Sequence, residues 1–374
     1  MRFLTVIAKN VLNRPVRSGL TAVGLSIAIA AMTILVGISW NFERSFLAIY
    51  RSKQIDLIVV RAGSSNQLSS SLDEPLADRL RQIEGVADVA PSLVDTVAFE
   101  EKNLASVLVN GWVAGSLLFR GIRVLEGRSL QPEDDRAAML GRVLALNIGK
   151  QAGDRLEVAG ETFAVVGTFE SQSLFESGSM IIPLRTLQKM MGREGQVTGF
   201  VITARASDRN SLDALRRRIE AAIPGAAATP ARDYVVGDTQ IRLAKAMAWT
   251  TAAVAFLLGA VGMLNTMLMA IFERTREIGL LRAVGWRRRR VLAMVLGEAL
   301  AIALAGTILG DVLAVVGIRA LTLSPTARGF IEPNLPLEVL LIALVMGVGL
   351  SLLGGLYPAA RAAALDPTEA LRYE

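Results

Sequence analysis

Residues 246–272 read AMAWTTAAVAFLLGAVGMLNTMLMAIF and run directly into residues 273–290, ERTREIGLLRAVGWRRRR. The first stretch, as helix, is about 40 Å long and exceeds the roughly 30 Å of bilayer hydrocarbon. The second is crowded with arginine. An apolar run closing on a basic segment is the pattern of a membrane span arriving at the cytoplasmic surface. Three further runs have the required length: Leu20–Trp40, Val291–Ile318 and Leu337–Tyr357. Trp40 and Trp249 fall at one pair of span ends, Trp286 and Tyr357 at or near the other, where amphipathic rings settle in an interface.

Composition agrees with these blocks. The chain has 374 residues, 52% of them hydrophobic and only 20% charged, with a mean hydropathy of +0.45. That is too apolar for a single soluble core of this size. Neither Cys nor His occurs. Disulfides, thiolate nucleophiles, Cys/His metal sites and His-based triads are therefore excluded. The net charge of +6 invites a nucleic-acid reading, but the positions of the charges fit membrane topology better.

Arg2, Lys9, Arg14 and Arg17 precede the first run. Arg274, Arg276, Arg282 and Arg287–Arg290 lie between the second and third, and Arg361 and Arg372 follow the fourth. The connection between the third and fourth carries only Arg319 and Arg328. The positive-inside rule then places both termini and the 273–290 loop in the cytoplasm, with the long segment between the first two spans outside.

The expected partition follows. Residues 1–19 form a cytoplasmic amphipathic segment, with Phe3, Ile7, Val11 and Leu12 spaced for a helix lying on the inner surface. Residues 20–50 are the first span, read as an uncleaved anchor, plus an outer stalk. Residues 51–242 are an α+β domain, divided into two lobes with 116–198 inserted. Then come the second span (243–272), a cytoplasmic loop (273–290), the third span (291–318), a short outer loop (319–336), the fourth span (337–357) and a cytoplasmic tail (358–374).

Within the outer segment, strand-like runs are Asp56–Arg61, Ala105–Trp112 and Phe200–Arg205, with a hairpin turning at Ala159–Gly160–Glu161. Helices are expected near Glu74–Ile83, opened by Pro75, and from Asp208 as cap to Ile223. Ser64–Ser71 reads as a polar loop.

The sole Gly-Lys pair, Gly149–Lys150, is followed by Gln151, and Leu144 stands where a phosphate-cradling loop needs its first glycine. No nucleophile elbow or dinucleotide fingerprint occurs; a Ser–Lys or carboxylate-pair enzyme stays open on sequence alone. In the 273–290 loop, Ile278, Leu281 and Arg282 fall on neighbouring helical positions and Gly285 can end a short helix. The spacing fits either an ordinary basic loop or a surface helix that receives another protein. Gly306-x-x-x-Gly310 in the third run permits close helix approach, within the chain or in a dimer. Asp311 beside it, as an acid inside a span, is a functional candidate, though its position near the outer headgroups favours a hydrated structural acid.

Three stretches carry a family resemblance. They are Glu273-Arg-Thr-Arg-Glu-Ile-Gly-Leu-Leu-Arg-Ala-Val-Gly-Trp286, Arg17-Ser-Gly-Leu-Thr21 followed by Gly24, and the tail from Tyr357-Pro-Ala-Ala-Arg361 to Glu374. Together with Gly141, Gly153–Asp154 and Val165–Glu170, they resemble the MacB/FtsX-type ABC transporter permeases, which include the lipoprotein-releasing LolC and LolE proteins. The resemblance implies a permease of the bacterial inner membrane that transmits motion to its periplasmic domain. With about 19 residues before the first span, it also implies a separate cytoplasmic ATPase that holds the ATP and Mg, leaving this chain without cofactor or catalytic residues of its own. Glu273, Arg274, Arg276, Glu277, Gly279, Arg282, Gly285 and Trp286 are the residues it assigns to ATPase coupling. The run Arg287–Arg290 departs from the pattern in being more densely basic. A homodimer or heterodimer of permeases is expected, with a periplasmic adaptor and outer-membrane channel as further partners. Two other readings remain: an FtsX-like regulator of a periplasmic cell-wall hydrolase, and a stand-alone membrane sensor.

Overall fold

The computed structural model describes residues 10, 15–64, 68–99, 104–323 and 331–366. Most of the expected amphipathic segment 3–17, the tail beyond residue 366, Arg328 and part of the 64–71 loop lie outside the described residues. The chain divides into two compact units, residues 1–39, 245–320 and 333–374 in one, residues 40–244 and 321–332 in the other.

The first unit is helical. Four helices are long and apolar enough to cross a membrane: α1 (Pro15–Ser52), α8 (Thr239–Glu273), α10 (Arg288–Leu321) and α11 (Leu337–Ala364). All four are longer than their apolar runs, and α1 continues past Trp40 for about 18 Å at 1.5 Å per residue. Inside the unit, backbones meet at small residues. A Cβ on Gly306 would lie 3.0 Å from Leu25 of α1, and one on Gly310 would lie 2.8 Å from the Ser26 carbonyl oxygen. Gly347 of α11 meets Thr307, and Gly354 meets Met263 of α8. In lipid, where apolar side chains gain little by leaving their solvent, such close approach is a main source of helix association.

The second unit is built on strands whose side chains alternate between two apolar faces. In β1 (Leu57–Arg61), Leu57 and Val59 enter one core, Ile58 and Val60 the other. The first core holds Leu80 of α2 (Leu76–Arg81), Leu187 of α5 (Leu184–Met190), and Leu215 and Ile219 of α6 (Arg209–Ala222). The second holds Trp112, Leu117, Met139, Phe169 and Ile181.

β1 sits between β12 (Ala226–Pro230) and β11 (Gly199–Ala204), both antiparallel to it. β11 pairs with β3 (Val86–Phe99), which pairs with β4 (Leu104–Trp112). The segment 116–198, expected as an inserted lobe, builds the other half of the same ten-stranded sheet. Its β9 (Met180–Pro183) joins β4 in parallel through Val109–Trp112, then β6 (Ala137–Gly141), β8 (Glu161–Ser171) and β5 (Ile122–Gly127) follow. β7 (Arg155–Val158) closes the expected hairpin on β8, with Ala159 at φ 50° and Gly160 at φ 80° in the turn. β2 (Leu72–Asp73) and β10 (Gln196–Val197) form a separate small pair.

The sequence expectations for β1, β4, β11 and the helix capped by Asp208 match these elements, Asp208 accepting from the Ser211 amide at 3.1 Å. The short α3 (Arg142–Ile148), α4 (Leu174–Ser177), α5 and α7 (Ala231–Gly237) lie outside the helices expected from sequence.

Candidate coupling site

The segment after α8 turns on Thr275, whose hydroxyl donates to the Ile271 carbonyl at 3.1 Å and the Phe272 carbonyl at 3.0 Å. The turn opens α9 (Thr275–Ala283). Gly285, at φ 98°, ends it. Its amide donates to the Arg282 carbonyl and that of Trp286 to the Leu281 carbonyl, both at 3.0 Å. This is a Schellman closure, in which the left-handed residue is most easily a glycine.

α9 is two-faced. Ile278 is 2% exposed and sits in a core with Ile271, Val291, Met294, Ala359 and Ala362; Leu281 and Trp286 flank it. Gly279 is buried as well. The opposite face shows Arg276, Glu277, Leu280 and Val284, the last two 56% and 76% exposed.

A polar brace joins the start of α9 to α10. Arg274 reaches back to Glu298 of α10, its Nη1 lying 3.1 and 3.2 Å from the two carboxylate oxygens, while its Nε donates to Glu277 at 2.9 Å. Glu298 also accepts from Asn10 at 2.6 Å. Arg17 and Glu273 form an ion pair alongside. Burial opposes the Arg274 charge, but Glu298 and Glu277 outweigh it and hold the guanidinium above its ordinary range. Arg282 donates to the Trp286 carbonyl at 3.1 Å, and its Nε is buried with no hydrogen-bond partner in the described chain. Arg290 stacks its guanidinium 4.8 Å from the centre of the Trp286 ring.

The eight residues expected in this segment are thus gathered on one short helix and its two flanks, with divided roles. Arg276 and Glu277 are presented outward. Gly279 faces the core, Gly285 and Trp286 close the helix, and Arg274 faces inward as a brace. Gly306 and Gly310 lie elsewhere, against α1 of the same chain, so the close approach they permit is used within the chain. Asp311 accepts from Thr33 of α1 at 3.3 Å. Sequence reasoning passed over Glu298; its signal was a lone carboxylate in an apolar run, the same signal that singled out Asp311. Among the described residues no cluster of Asp or Glu is placed to hold a metal ion.

Comparison with known proteins bears on both units. Residues 18–222 match the MacB-like periplasmic core domain, and residues 249–367 match the FtsX-like permease C-terminal domain. The macrolide export ATP-binding/permease protein MacB of Nitrobacter winogradskyi is 28% identical, over 96% of this chain and 58% of its own length. The chain therefore spans somewhat more than half of such relatives. An uncharacterised ABC transporter permease of Methanocaldococcus jannaschii is 24% identical over 99% of this chain and 98% of its own. Among solved structures, the periplasmic region of MacB from Actinobacillus actinomycetemcomitans overlaps 50% of this chain and 94% of its own, at 14% identity and a TM-score of 0.39.

Proposed function

Because the chain belongs to the MacB/FtsX family of ABC transporter permeases, we propose that it is the subunit through which a separate cytoplasmic ATPase drives movement of a periplasmic domain, exporting or extracting a substrate. The observation that carries this reading is α9. An isolated loop would gain nothing by exposing Leu280 and Val284 beside Arg276 and Glu277, whereas a docked protein would cover them. The brace from Arg274 to Glu298 supports the same reading, since a push on α9 is passed to α10 through a buried charged contact. In the proposed orientation the termini and α9 are cytoplasmic and residues 51–242 periplasmic, as the arginine distribution favours.

ATP and Mg belong, in this reading, to the partner. Nucleotide does work on the permease only if it binds one of the partner's states better than another and that state fits one position of α9 better. The spans hold few polar groups, which favours a substrate handled outside the membrane or laterally, with α1 and α8 as transmitters.

The test is purification of the tagged chain from native membranes with assay of ATP hydrolysis. A stoichiometric ATPase whose turnover responds to the permease supports the proposal, and the subunit ratio reads homodimer or heterodimer. Co-purification of a periplasmic adaptor points to export through an outer-membrane channel. A cell-wall hydrolase in its place would move the assignment to an FtsX-like regulator. Changing Glu277→Ala and Arg282→Ala together should leave the protein folded and lower permease-stimulated hydrolysis by about tenfold or more, the loss expected for roughly 1.4 kcal/mol of docking energy. Unchanged stimulation would sink the role given to α9.

A further inference from the structure

The largest fully buried side chain in the second unit belongs to a lysine. Lys53, one residue beyond the end of α1, is 0% exposed. Its ammonium lies 3.1 Å from a carboxylate oxygen of Glu176, itself 4% exposed. It also donates to the Leu118 carbonyl and, at 3.3 Å, to the Arg120 carbonyl, and stands 4.7 Å from the centre of the Trp112 ring. The other Glu176 oxygen accepts from Ser171 at 2.5 Å. Burial lowers the Lys53 pKa and Glu176 opposes that shift. A pair so enclosed weakly favours folding as such, because desolvation offsets most of its attraction; what it fixes strongly is geometry.

The partners are distributed unevenly. By chain order, Lys53 leads into β1 in the half-sheet made of β12, β1, β11, β3 and β4. By side-chain contact it grips the other half. Leu118 and Arg120 lie on the crossover from β4 to β5, and Glu176 lies in α4, directly after β8. Two more contacts repeat the choice. Ser45 and Ser173 share a hydrogen bond of 2.8 Å. Phe42 and Phe46 of α1 stack on Phe175 with ring centres 5.3 and 4.8 Å apart. Apart from the Trp112 ring of β4, these contacts of Lys53 and the end of α1 fall on residues 118–176.

The start of α8 is attached differently. It continues from α7, which follows β12 and lies against β12 and β1, the Ala231 amide donating to the Asp56 carbonyl at 2.9 Å. Between α1 and the α7–α8 junction is a cavity of about 330 Å³, lined by Phe42, Phe46, Tyr50, Tyr234 and Ile241. The cavity lies at the outer ends of the two helices, whereas nearer the bundle they touch, Thr21 of α1 donating to Thr266 of α8 at 3.3 Å.

We propose that the Lys53–Glu176 pair is a clamp tying the outer end of α1 to the half-sheet of residues 118–183, while α8 is tied to the opposite edge at β12. One sheet is thus held by two membrane helices at two different halves. Any difference in their movement is delivered to the seam between β4 and β9, where only Val109–Trp112 and Met180–Pro183 pair. This deepens the transmission reading above and rests on it for its purpose, but the clamp itself is a statement about local geometry and needs no ATPase to test.

The chain lacks cysteine, so spin labels can be introduced without background. The full chain in lipid nanodiscs would carry labels at Arg51→Cys with Glu157→Cys, reporting α1 against the clamped half. A control pair, Arg51→Cys with Arg61→Cys, reports α1 against the half it enters by sequence. All three positions are exposed. Glu176→Gln removes the charge, and Lys53→Met with Glu176→Met replaces the pair by apolar groups that a buried site tolerates. The expected result, in whichever variant folds, is loss of the single narrow 51–157 distance with the 51–61 distance unchanged. An unchanged 51–157 distance would overturn the clamp. Equal broadening of both distances would overturn it too, by showing a general support of the fold. If the distances behave as expected while ATPase coupling is absent, the clamp stands and the transport reading falls.

Discussion

Glu298 sits inside the apolar run of α10 and is 7% exposed, with Arg274 and Asn10 as its partners. Removing Glu298 leaves the Arg274 guanidinium with exposed Glu277 as its remaining carboxylate partner among the described residues. Glu298→Ala is therefore expected to cost about 1–3 kcal/mol, read as a fall in the thermal unfolding temperature of the purified protein. Arg274→Met with Glu298→Met, which leaves no orphan charge, should cost much less. Equal losses would show that the site tolerates a lone charge and that the brace is not what holds α9. A second residue-scale prediction concerns acid. Arg128 grips Asp134 through two hydrogen bonds of 2.6 and 2.7 Å, and this holds the Asp134 carboxyl below its ordinary range, with the Gln131 amide assisting. A carboxylate lowered in the folded state stabilises above its unfolded pKa and loses that contribution as pH falls through the folded value. The unfolding-temperature gap between wild type and Arg128→Met should thus be full near about pH 6 and shrink towards about pH 3. A gap independent of pH would mean that Arg128 acts by packing alone.

At the scale of elements, the four membrane helices were legible because lipid imposes one requirement, about 20 apolar residues in a row, and the chain meets it four times. What lay beyond those runs was harder to read. The outer stalk expected after Trp40 is the helical continuation of α1 over Asn41–Ser52, but its partner, Phe175 against Phe42 and Phe46, lies far away in sequence and is named only by the fold. Glu298 carried the same signal as Asp311, a carboxylate inside an apolar run, but its partner Arg274 belongs to a different element and is named only by the fold. The Gly306–Gly310 spacing was legible as a packing face, yet spacing alone does not name the partner, which is α1. That contact gives a third prediction. A methyl group on Gly310 meets a backbone oxygen and Ile29, neither a flexible side-chain end, so Gly310→Ala should destabilise the bundle by about 1–3 kcal/mol through overpacking. Gly262→Ala in α8, where nothing lies within 4 Å, is the matched control and should be near neutral in the same unfolding assay. If the two variants unfold alike, α1 and α10 do not cross at this seam.

On the scale of the whole molecule, two helices belong to both compact units. α1 and α8 leave the helical bundle and run on into the sheet domain without a break in secondary structure. This continuity serves the proposed transmission only if the bundle's arginine-rich end faces the ATP pool and the sheet domain faces away from it. Arg276, Arg282 and Arg287–Arg290 at one end, against little positive charge between the third and fourth spans, support that orientation. It can be tested directly with a membrane-impermeant maleimide, since no native cysteine competes. Glu157→Cys, exposed on β7, should be labelled in intact spheroplasts, whereas Ala283→Cys, exposed on α9, should be labelled only after the membrane is opened. The reverse pattern would put α9 beyond the reach of any cytoplasmic ATPase and remove the physical basis for coupling. Labelling of both sites from outside would mean that α8 does not cross the bilayer, a result that its uninterrupted apolar length makes hard to reconcile with the cost of leaving such a helix in water.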